Sequence, residues 1–414
     1  MDRLFLRIYE FLALRILEKF KPLIVAVTGT VGKTTTKDAI YNLLSKEIDV
    51  RVDRSPKSYN SDFGVPVSIF LVKESKGDIV SKFRDLLQGL ATYFGNNYPD
   101  ILILEIGTNS PGDMKRIASW LKIDILIYTL ISDESPHLDT FKSPALYFEE
   151  KISLLKAIKN NGTLLVNTTD DKTKFIVSAV PENVRVELYT PKSLKITTEL
   201  KFVVQNGQIV SVLADASSDL QVQFIRCFGV QHQNALQIAV HVYKTIFKKP
   251  PNNSISFKYA SAPGRMNLLL GKNGSYIVDD SFNSSPPALI NAIHETAHAF
   301  EHLKKIAVIG DMLGLDTREK VNRREICRLL SKKYDTILFV GSTFKVEDVE
   351  TNEEKYLFFT NHESAMRVLI NQKLANTVIL FKGAQSSRLE KIIEQILKNP
   401  LDKKFLSRQE NYWN

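Results

Sequence analysis

Residues 23–35, LIVAVTGTVGKTT, constrain this chain more than any other stretch. Leu23 to Thr28 is a short apolar run rich in β-branched residues, the pattern of a buried parallel strand, and a helical pattern follows from Thr34 to Leu44. A strand, a tight glycine loop and a helix in that order aim backbone N–H groups and a positive helix end at an anion. Gly29, Thr30, Gly32, Lys33, Thr34 and Thr35 are therefore candidate nucleotide-binding residues, with Lys33 reaching the outer phosphates and the Thr34 hydroxyl suited to Mg²⁺. Val27 stands where the general phosphate-loop pattern has its first glycine, so this loop is a shortened variant that begins at Gly29.

The alternation continues down the chain. Strands are expected at Ile101 to Leu104, Ile123 to Thr129 and Gly162 to Asn167, and helices at Gly112 to Leu121 and Ala145 to Lys159. Strands alternating with helices indicate an α/β fold built on a doubly wound parallel sheet. From Val184 to Phe228 the pattern changes to short alternating segments split by Asn206-Gly207, expected to be an antiparallel β appendage on the same domain. After a helix from Asn234 to Phe247, the turn-rich KKPPNNS at 248–254 is the best boundary in the chain. A second Rossmann-like α/β pattern follows, with strands at Ser275 to Val278, Lys305 to Ile309, Thr336 to Val340 and Thr377 to Phe381. The expected organisation is a helix over 1–21, a central domain over 22–250 and a C-terminal domain over 251–414.

In the first segment Leu4, Phe5, Ile8, Phe11, Leu12, Ile16, Leu17 and Phe20 recur at helical spacing, beside Arg3, Arg7, Arg15, Lys19 and Lys21. The charges inside this run exclude a signal peptide, and no apolar stretch is long enough to span a bilayer. Two readings stay open: a helix docked on the next domain, or a basic amphipathic helix in peripheral contact with the inner face of a membrane. The net charge is +9 over 414 residues, which suits anionic ligands in general. Basic residues alternate with acidic ones beyond residue 21 instead of gathering in a stripe with aromatic platforms, so no nucleic-acid partner is expected. Two cysteines without metal-type spacing, Cys227 and Cys327, point to a reducing cytoplasm.

Further polar residues sit where strands end, the place where doubly wound sheets bind ligands. Glu105 follows the strand Ile101 to Leu104 and could hold Mg²⁺, although an isolated Glu there is more often a solvated surface residue. His137 lies in SPHLDTF after the strand Ile123 to Thr129, and Lys151 comes fourteen residues later. Taken singly these two read as a structural His and a solvated Lys. In the second half Arg265 in PGRM, Asp279 and Asn283 in DDSFN, Gly310-Asp311-Met312, and Lys382 with Ser386 in KGAQS could clamp phosphate and ribose from another domain.

Together these segments resemble the Mur ligases, and among them the branch that adds D-alanyl-D-alanine. The matching pieces are GTVGKTTT, YNSDFGVP (59–66), EIGTNSPGDM, HLDTF with Lys151, APGRM, DDSFNSSP, VIGDM and FKGAQS, in the family's order from about Lys21 to Lys398. The resemblance implies an ATP-dependent amide ligase of peptidoglycan precursor synthesis that works through an acyl phosphate. It implies that Lys33 neutralises the β- and γ-phosphates, that Thr34 and Glu105 hold one Mg²⁺, that His137 holds a second, and that Lys151 is carbamylated. It also implies nucleotide contacts from Arg265, Asp279 and Asn283, and substrate contacts from Asn60, Ser61, Lys382 and Ser386. A monomer is expected.

The departures concern the substrate. About twenty residues precede the phosphate-loop strand where relatives have a domain that grips UDP, so a lipid-linked or other carboxylate acceptor stays open. Gly314, Leu315 and Asp316 replace the family's Glu-Leu-Gly, Arg323 stands near the place of a family His, and GVQHQNAL (229–236) is one residue short. A folylpolyglutamate-synthetase-like ligase and a nonenzymatic protein that kept the fold are the remaining alternatives.

Overall fold

The computed structural model describes residues 2–56, 59–73, 75, 78–131, 138–141, 143–190, 202–205, 208–214, 221–251, 257–312, 319–349 and 354–409. They form two compact units, one from the described residues of 2–190 and 233–251, the other from those of 202–232 and 257–409.

The first unit is built on six parallel strands: β1 (Leu23–Thr28), β2 (Val52–Arg54), β3 (Ile101–Glu105), β4 (Ile123–Tyr128), β5 (Ile158–Asn167) and β6 (Arg185–Tyr189). Their order is β2-β3-β1-β4-β5-β6, with Val27 in register with both Glu105 and Ile127. The strand order therefore reverses at β1, and the loop that leaves its carboxyl end opens at the switch point where such sheets take ligands. Helices α1 (Asp2–Phe20), α2 (Lys33–Leu44), α3 (Gly64–Ile69), α4 (Ile79–Phe94), α5 (Asp113–Trp120), α6 (Leu138–Phe141), α7 (Pro144–Ile152) and α8 (Thr173–Ser178) cover it. The apolar face expected of α1 is inside: Phe5, Tyr9, Leu12, Ala13 and Ile16 join the core and the helix packs on α3 and α4. The Tyr9 hydroxyl donates to the Lys82 carbonyl at 2.6 Å, and Phe20 stacks on Tyr98 at 4.8 Å.

Two strand expectations need correction. The helix expected to run to Lys159 ends at Ile152; a 3₁₀ turn covers Ser153–Ala157 and β5 already starts at Ile158. The β segment expected as one appendage divides: β6 joins the parallel sheet beside β5, whereas β7 (Phe202–Gln205), β8 (Gln208–Ala214) and β9 (Gln221–Ile225) make another sheet. That sheet belongs to the second unit, because β10 (Phe257–Ala260), beyond the turn-rich segment, pairs in parallel with β9. A turn-rich stretch breaks the chain's periodicity without preventing strands on either side of it from pairing. Asn206-Gly207, expected at the turn, lies outside the described residues.

After α9 (Val230–Phe247), the second unit carries a six-stranded sheet in the order β11-β12-β16-β13-β14-β15. These strands are β11 (Asn267–Leu270), β12 (Tyr276–Asp280), β13 (Lys304–Ile309), β14 (Thr336–Val340), β15 (Tyr356–Phe359) and β16 (Thr377–Lys382). Only the β11–β12 pair is antiparallel. Helices α10 (Pro286–Ala299), α11 (Glu319–Lys333), α12 (His362–Ile370) and α13 (Glu390–Ile396) enclose two apolar layers, one on each face of the sheet.

Candidate active site

The site begins with two glycines that no other residue could replace cheaply. Gly29 has φ +141° and a Cβ there would lie 2.1 Å from Thr129 Oγ1; Gly32 caps α2 at φ +89°. No side chain caps α2 and its first turn holds no acidic residue, which leaves the positive end of the helix to an anion. Lys33 folds back over this loop, its Nζ donating to the carbonyls of Gly29 at 3.0 Å and Thr30 at 3.2 Å.

Lys151 reaches the same place from the other side. Its Nζ donates to the Gly29 carbonyl at 3.1 Å and lies 4.7 Å from the centre of the Tyr147 ring. The residue is 1% exposed, and burial pushes its amine down to about 7 against the opposing influence of Glu150. The backbone explains the position. Glu150 takes the amides of Gly112 at 2.9 Å and Met114 at 2.7 Å at the start of α5, and Tyr128 donates its hydroxyl to the Lys151 carbonyl at 2.6 Å. With α7 fixed in this way, the next side chain turns inward to the phosphate loop.

Glu105, at the end of β3, is buried and not the solvated residue that its type alone suggests. Oε1 accepts from Asn60 Nδ2 at 2.9 Å; Oε2 accepts no hydrogen bond and lies 3.4 Å from Lys37 Nζ. Burial pushes this carboxyl up, but the charges of Lys37 and Lys33 and hydrogen bonds from Asn60 and Thr34 outweigh it and hold the group below the usual range. The Thr34 hydroxyl beside an ionised carboxylate whose Oε2 accepts no hydrogen bond is a donor set that fits Mg²⁺, which takes few protein ligands and completes its shell with phosphate and water. Among the described residues no three His, Cys, Asp or Glu side chains gather into a metal site. His137 lies outside the described residues.

Lys37 was not apparent from the motif. It is 1% exposed, and its signal was available: it stands four residues after Lys33 on one helix face. Asn60 meets Glu105, whereas the Ser61 hydroxyl accepts from the Gly64 amide at 3.3 Å and so shapes the start of α3.

In the second unit the motif residues also converge. Lys382 is buried at the end of β16, paired with Asp280 at 2.8 Å and donating to the Asn283 carbonyl at 2.7 Å. It is thus a brace beneath the DDSFN turn. Asp279 is fully buried, Ser281 donates its amide and hydroxyl to Oδ1, and Oδ2 has no hydrogen bond. Its carboxyl is pushed up to about 6, first by burial and then by the charge of Asp280. Arg265 lies over the Phe282 ring at 4.2 Å, and the buried His232, whose ring hydrogen-bonds the Arg265 backbone, is pushed down to about 4 by burial. Ser386 is exposed, while its neighbour Ser387 accepts the Asp311 amide at 2.7 Å. Arg323 forms a buried pair with Asp348 at 2.8 Å.

The chain matches the Mur ligase middle domain over residues 27–239 and the Mur ligase, glutamate ligase domain over residues 264–385. It is 22% identical to the UDP-N-acetylmuramoyl-tripeptide--D-alanyl-D-alanine ligase of Bacillus subtilis over 94% of this chain and 79% of that protein. It is 25% identical to the enzyme of that name from Borreliella burgdorferi over 94% of this chain and 77% of the relative. Among solved structures, the MurF ligase of Thermotoga maritima in complex with ADP superposes with a TM-score of 0.72 at 22% identity, covering 96% of this chain and 84% of that one. The folylpolyglutamate synthase of Mycobacterium tuberculosis complexed with ADP and AMPPCP gives 0.59 at 15% identity, covering 93% and 94%.

Proposed function

The chain belongs to the Mur ligase family, and from that premise we propose that it is an ATP-dependent, ADP-forming ligase that adds D-alanyl-D-alanine, or a related amine, to a peptidoglycan precursor. The observation that carries the reading is the convergence of Lys33 and Lys151 on the Gly29 carbonyl, beside the Thr34–Glu105 pair. In the reaction the substrate carboxylate takes the γ-phosphoryl group of ATP, giving an acyl phosphate and ADP. The incoming amine then attacks the acyl carbon, the C–O bond to phosphate breaks, and the amine's surplus proton leaves as the amide forms.

Lys33 swings from its own loop carbonyls onto the phosphates and neutralises charge that spreads over the transferred group. Thr34 and Glu105 would hold Mg²⁺, which supplies further neutralisation when bound. His137 is proposed to hold a second cation. Lys151 reacts through its unprotonated amine with CO₂, giving a carbamate and releasing a proton, and an amine at about 7 keeps a large unprotonated fraction at neutral pH. Arg265, Asp279 and Asn283 are assigned to the nucleotide, Asn60 and Ser61 to the acceptor, and Lys382 and Ser386 to the region of the incoming amine. The protein is placed in the cytoplasm as a monomer, with residues 1–21 in peripheral contact with the inner face of the membrane.

The test is phosphate release with Mg²⁺, ATP, UDP-linked and lipid-linked muramoyl peptides and D-alanyl-D-alanine. Wild-type release should require both acceptor and amine, and Lys33→Ala should abolish it with an unchanged melting temperature. Lys151→Ala should lose activity and regain part of it with short-chain carboxylates. Release with a folate acceptor and glutamate instead, or full activity of Lys33→Ala, would overturn the reading.

A further inference from the structure

We propose that α1 and α4 together form a docking face for an anionic lipid bilayer, an inference that gives residues and lipid class to the membrane contact above. The two helices run side by side in the same direction. Phe5 meets Phe83 at 5.1 Å, the Tyr9 hydroxyl donates to the Lys82 carbonyl, and Lys19 Nζ donates to the carbonyls of Tyr93 and Gly95, both at 2.7 Å. The buried positions of α4 are Ser81, Asp85, Gly89 and Thr92, which is the polar and small-residue side of the helix. That orientation is fixed. Asp85 is hydrogen-bonded to Ser75, Thr92 donates to the Phe70 carbonyl at 2.9 Å, and a Cβ on Gly89 would come within 2.8 Å of Leu12.

The apolar side of α4 is consequently turned to solvent. Val80 is 74% exposed, Phe83 55%, Leu87 67% and Phe94 75%, at spacings of three, four and seven that keep them in one stripe, and on α1 Leu4 is 63% and Phe11 66% exposed. Leu86 and Tyr93 pack partly against the core, but a fully buried polar side and an exposed apolar stripe still reverse the usual arrangement of a surface helix, and large contiguous apolar patches mark interaction sites.

Charge selects the occupant. Among the described side chains of the two helices, the exposed basic ones are Arg7, Arg15, Lys19 and Arg84; the exposed acidic ones are Glu18, paired with Arg15 at 2.8 Å, and Asp78 at the cap of α4. An apolar plate with a mainly basic frame matches acyl chains beneath anionic headgroups. A twofold contact with a second copy would bring the same basic frames together. No helix among the described residues is long and apolar enough to cross a membrane, so the face would lie on the bilayer.

The experiment is cosedimentation of the full chain with vesicles of phosphatidylcholine containing about one third phosphatidylglycerol. Binding should weaken about tenfold in Leu87→Glu/Phe94→Glu, fall with salt, and be far weaker on pure phosphatidylcholine. The variant should keep its melting temperature and its phosphate release with soluble substrates, a readout that tests the ligase reading separately. Absence of binding, equal binding by the variant, or equal binding to neutral vesicles overturns the proposal. So does a wild-type dimer in light scattering that the variant abolishes, which would assign the face to a second copy.

Discussion

Each unit buries a glutamate whose carboxyl is held below its usual range, and the two are finished differently. Glu390, in the second unit, is saturated: Oε1 takes Arg388 Nε at 2.6 Å, and Oε2 takes Arg408 Nε at 2.9 Å and Nη2 at 2.7 Å. Arg408 also donates to the Ser281 carbonyl at 2.9 Å, so this pair ties the C-terminal segment to the DDSFN turn. Glu105, in the first unit, has Asn60 on Oε1 and the Thr34 hydroxyl beside it, while Oε2 accepts no hydrogen bond and is met by the charge of Lys37 at 3.4 Å. A buried charge with hydrogen-bond donors on both oxygens has little left to offer a ligand and serves the fold, whereas one with an oxygen left short is arranged for something that arrives later.

The contrast predicts opposite phenotypes, and the larger belongs to the saturated residue. Glu390→Gln leaves Arg408 buried without its counter-charge and should cost about 3–5 kcal/mol. Urea unfolding measures it, and phosphate release per folded molecule should stay near wild type. A loss under 1 kcal/mol, with lost turnover, would reverse the roles of the two glutamates.

Asp279 tests whether incompleteness or location matters, because it lies in the second unit and also has an unpaired oxygen. Burial pushes its carboxyl up to about 6 in the fold, from about 3.9 for a free side chain, so the folded state binds the extra proton between those values. Its contribution is fully present below pH 4 and is lost as pH rises through about 6, a swing of at most about 3 kcal/mol. Asp279→Asn should remove that slope. Unfolding at stepped pH, wild type beside variant, should show the gap opening through this window; parallel curves would mean that the group does not titrate there.

For Glu105→Gln the expectation is a catalytic defect, of about 10- to 100-fold in activity or in the Mg²⁺ concentration needed, on the scale of a weakened metal shell. Melting should fall less than in Glu390→Gln, since Lys37 keeps Asp38 as a counter-charge at 3.8 Å and Asn60 can still donate to the amide oxygen. Unchanged Mg²⁺ dependence would show that the spare oxygen has no cation to meet.

How much of this could be read from sequence follows from how local each signal is. The phosphate loop, its strand and its helix lie within twenty-odd residues, and the pattern predicts them where they are. Lys151 could not be read as buried, because its place depends on Glu150 gripping the start of α5. Lys382, given to the region of the incoming amine by resemblance, also pairs with Asp280 across β12 and β16, a contact 102 residues apart in the chain that no local pattern reveals. Amphipathic spacing in α1 left open whether its apolar face docks on the domain or lies on a membrane; Phe5, Tyr9, Leu12, Ala13 and Ile16 are in the core, and spacing alone names a face and not which side of it is inside. In α4 the polar side went in, fixed by Ser75, Phe70 and Leu12, none of which the helix's own pattern reveals.

Ser61 gives the smallest effect and the finest test, since it belongs to the acceptor-binding segment by resemblance while its hydroxyl is engaged locally. The Gly64 amide donates to Oγ at 3.3 Å, and the Ser61 carbonyl accepts from Val65 at 3.0 Å, so the residue opens the first turn of α3 in the manner of a cap. Its neighbour Asn60 is the one that meets Glu105. Removing the hydroxyl should cost about 1 kcal/mol, the usual worth of a capping side chain, because one amide near the helix start loses its partner. If Ser61 also touches the acceptor, Ser61→Ala raises KM for that substrate and leaves KM for ATP alone. Ser61→Thr restores the hydroxyl and should recover the stability, while its added methyl tests the room left for substrate. A stability loss with both KM values unchanged would make Ser61, like Glu390, part of the scaffold, and would leave Asn60 as the residue of this segment that serves the site.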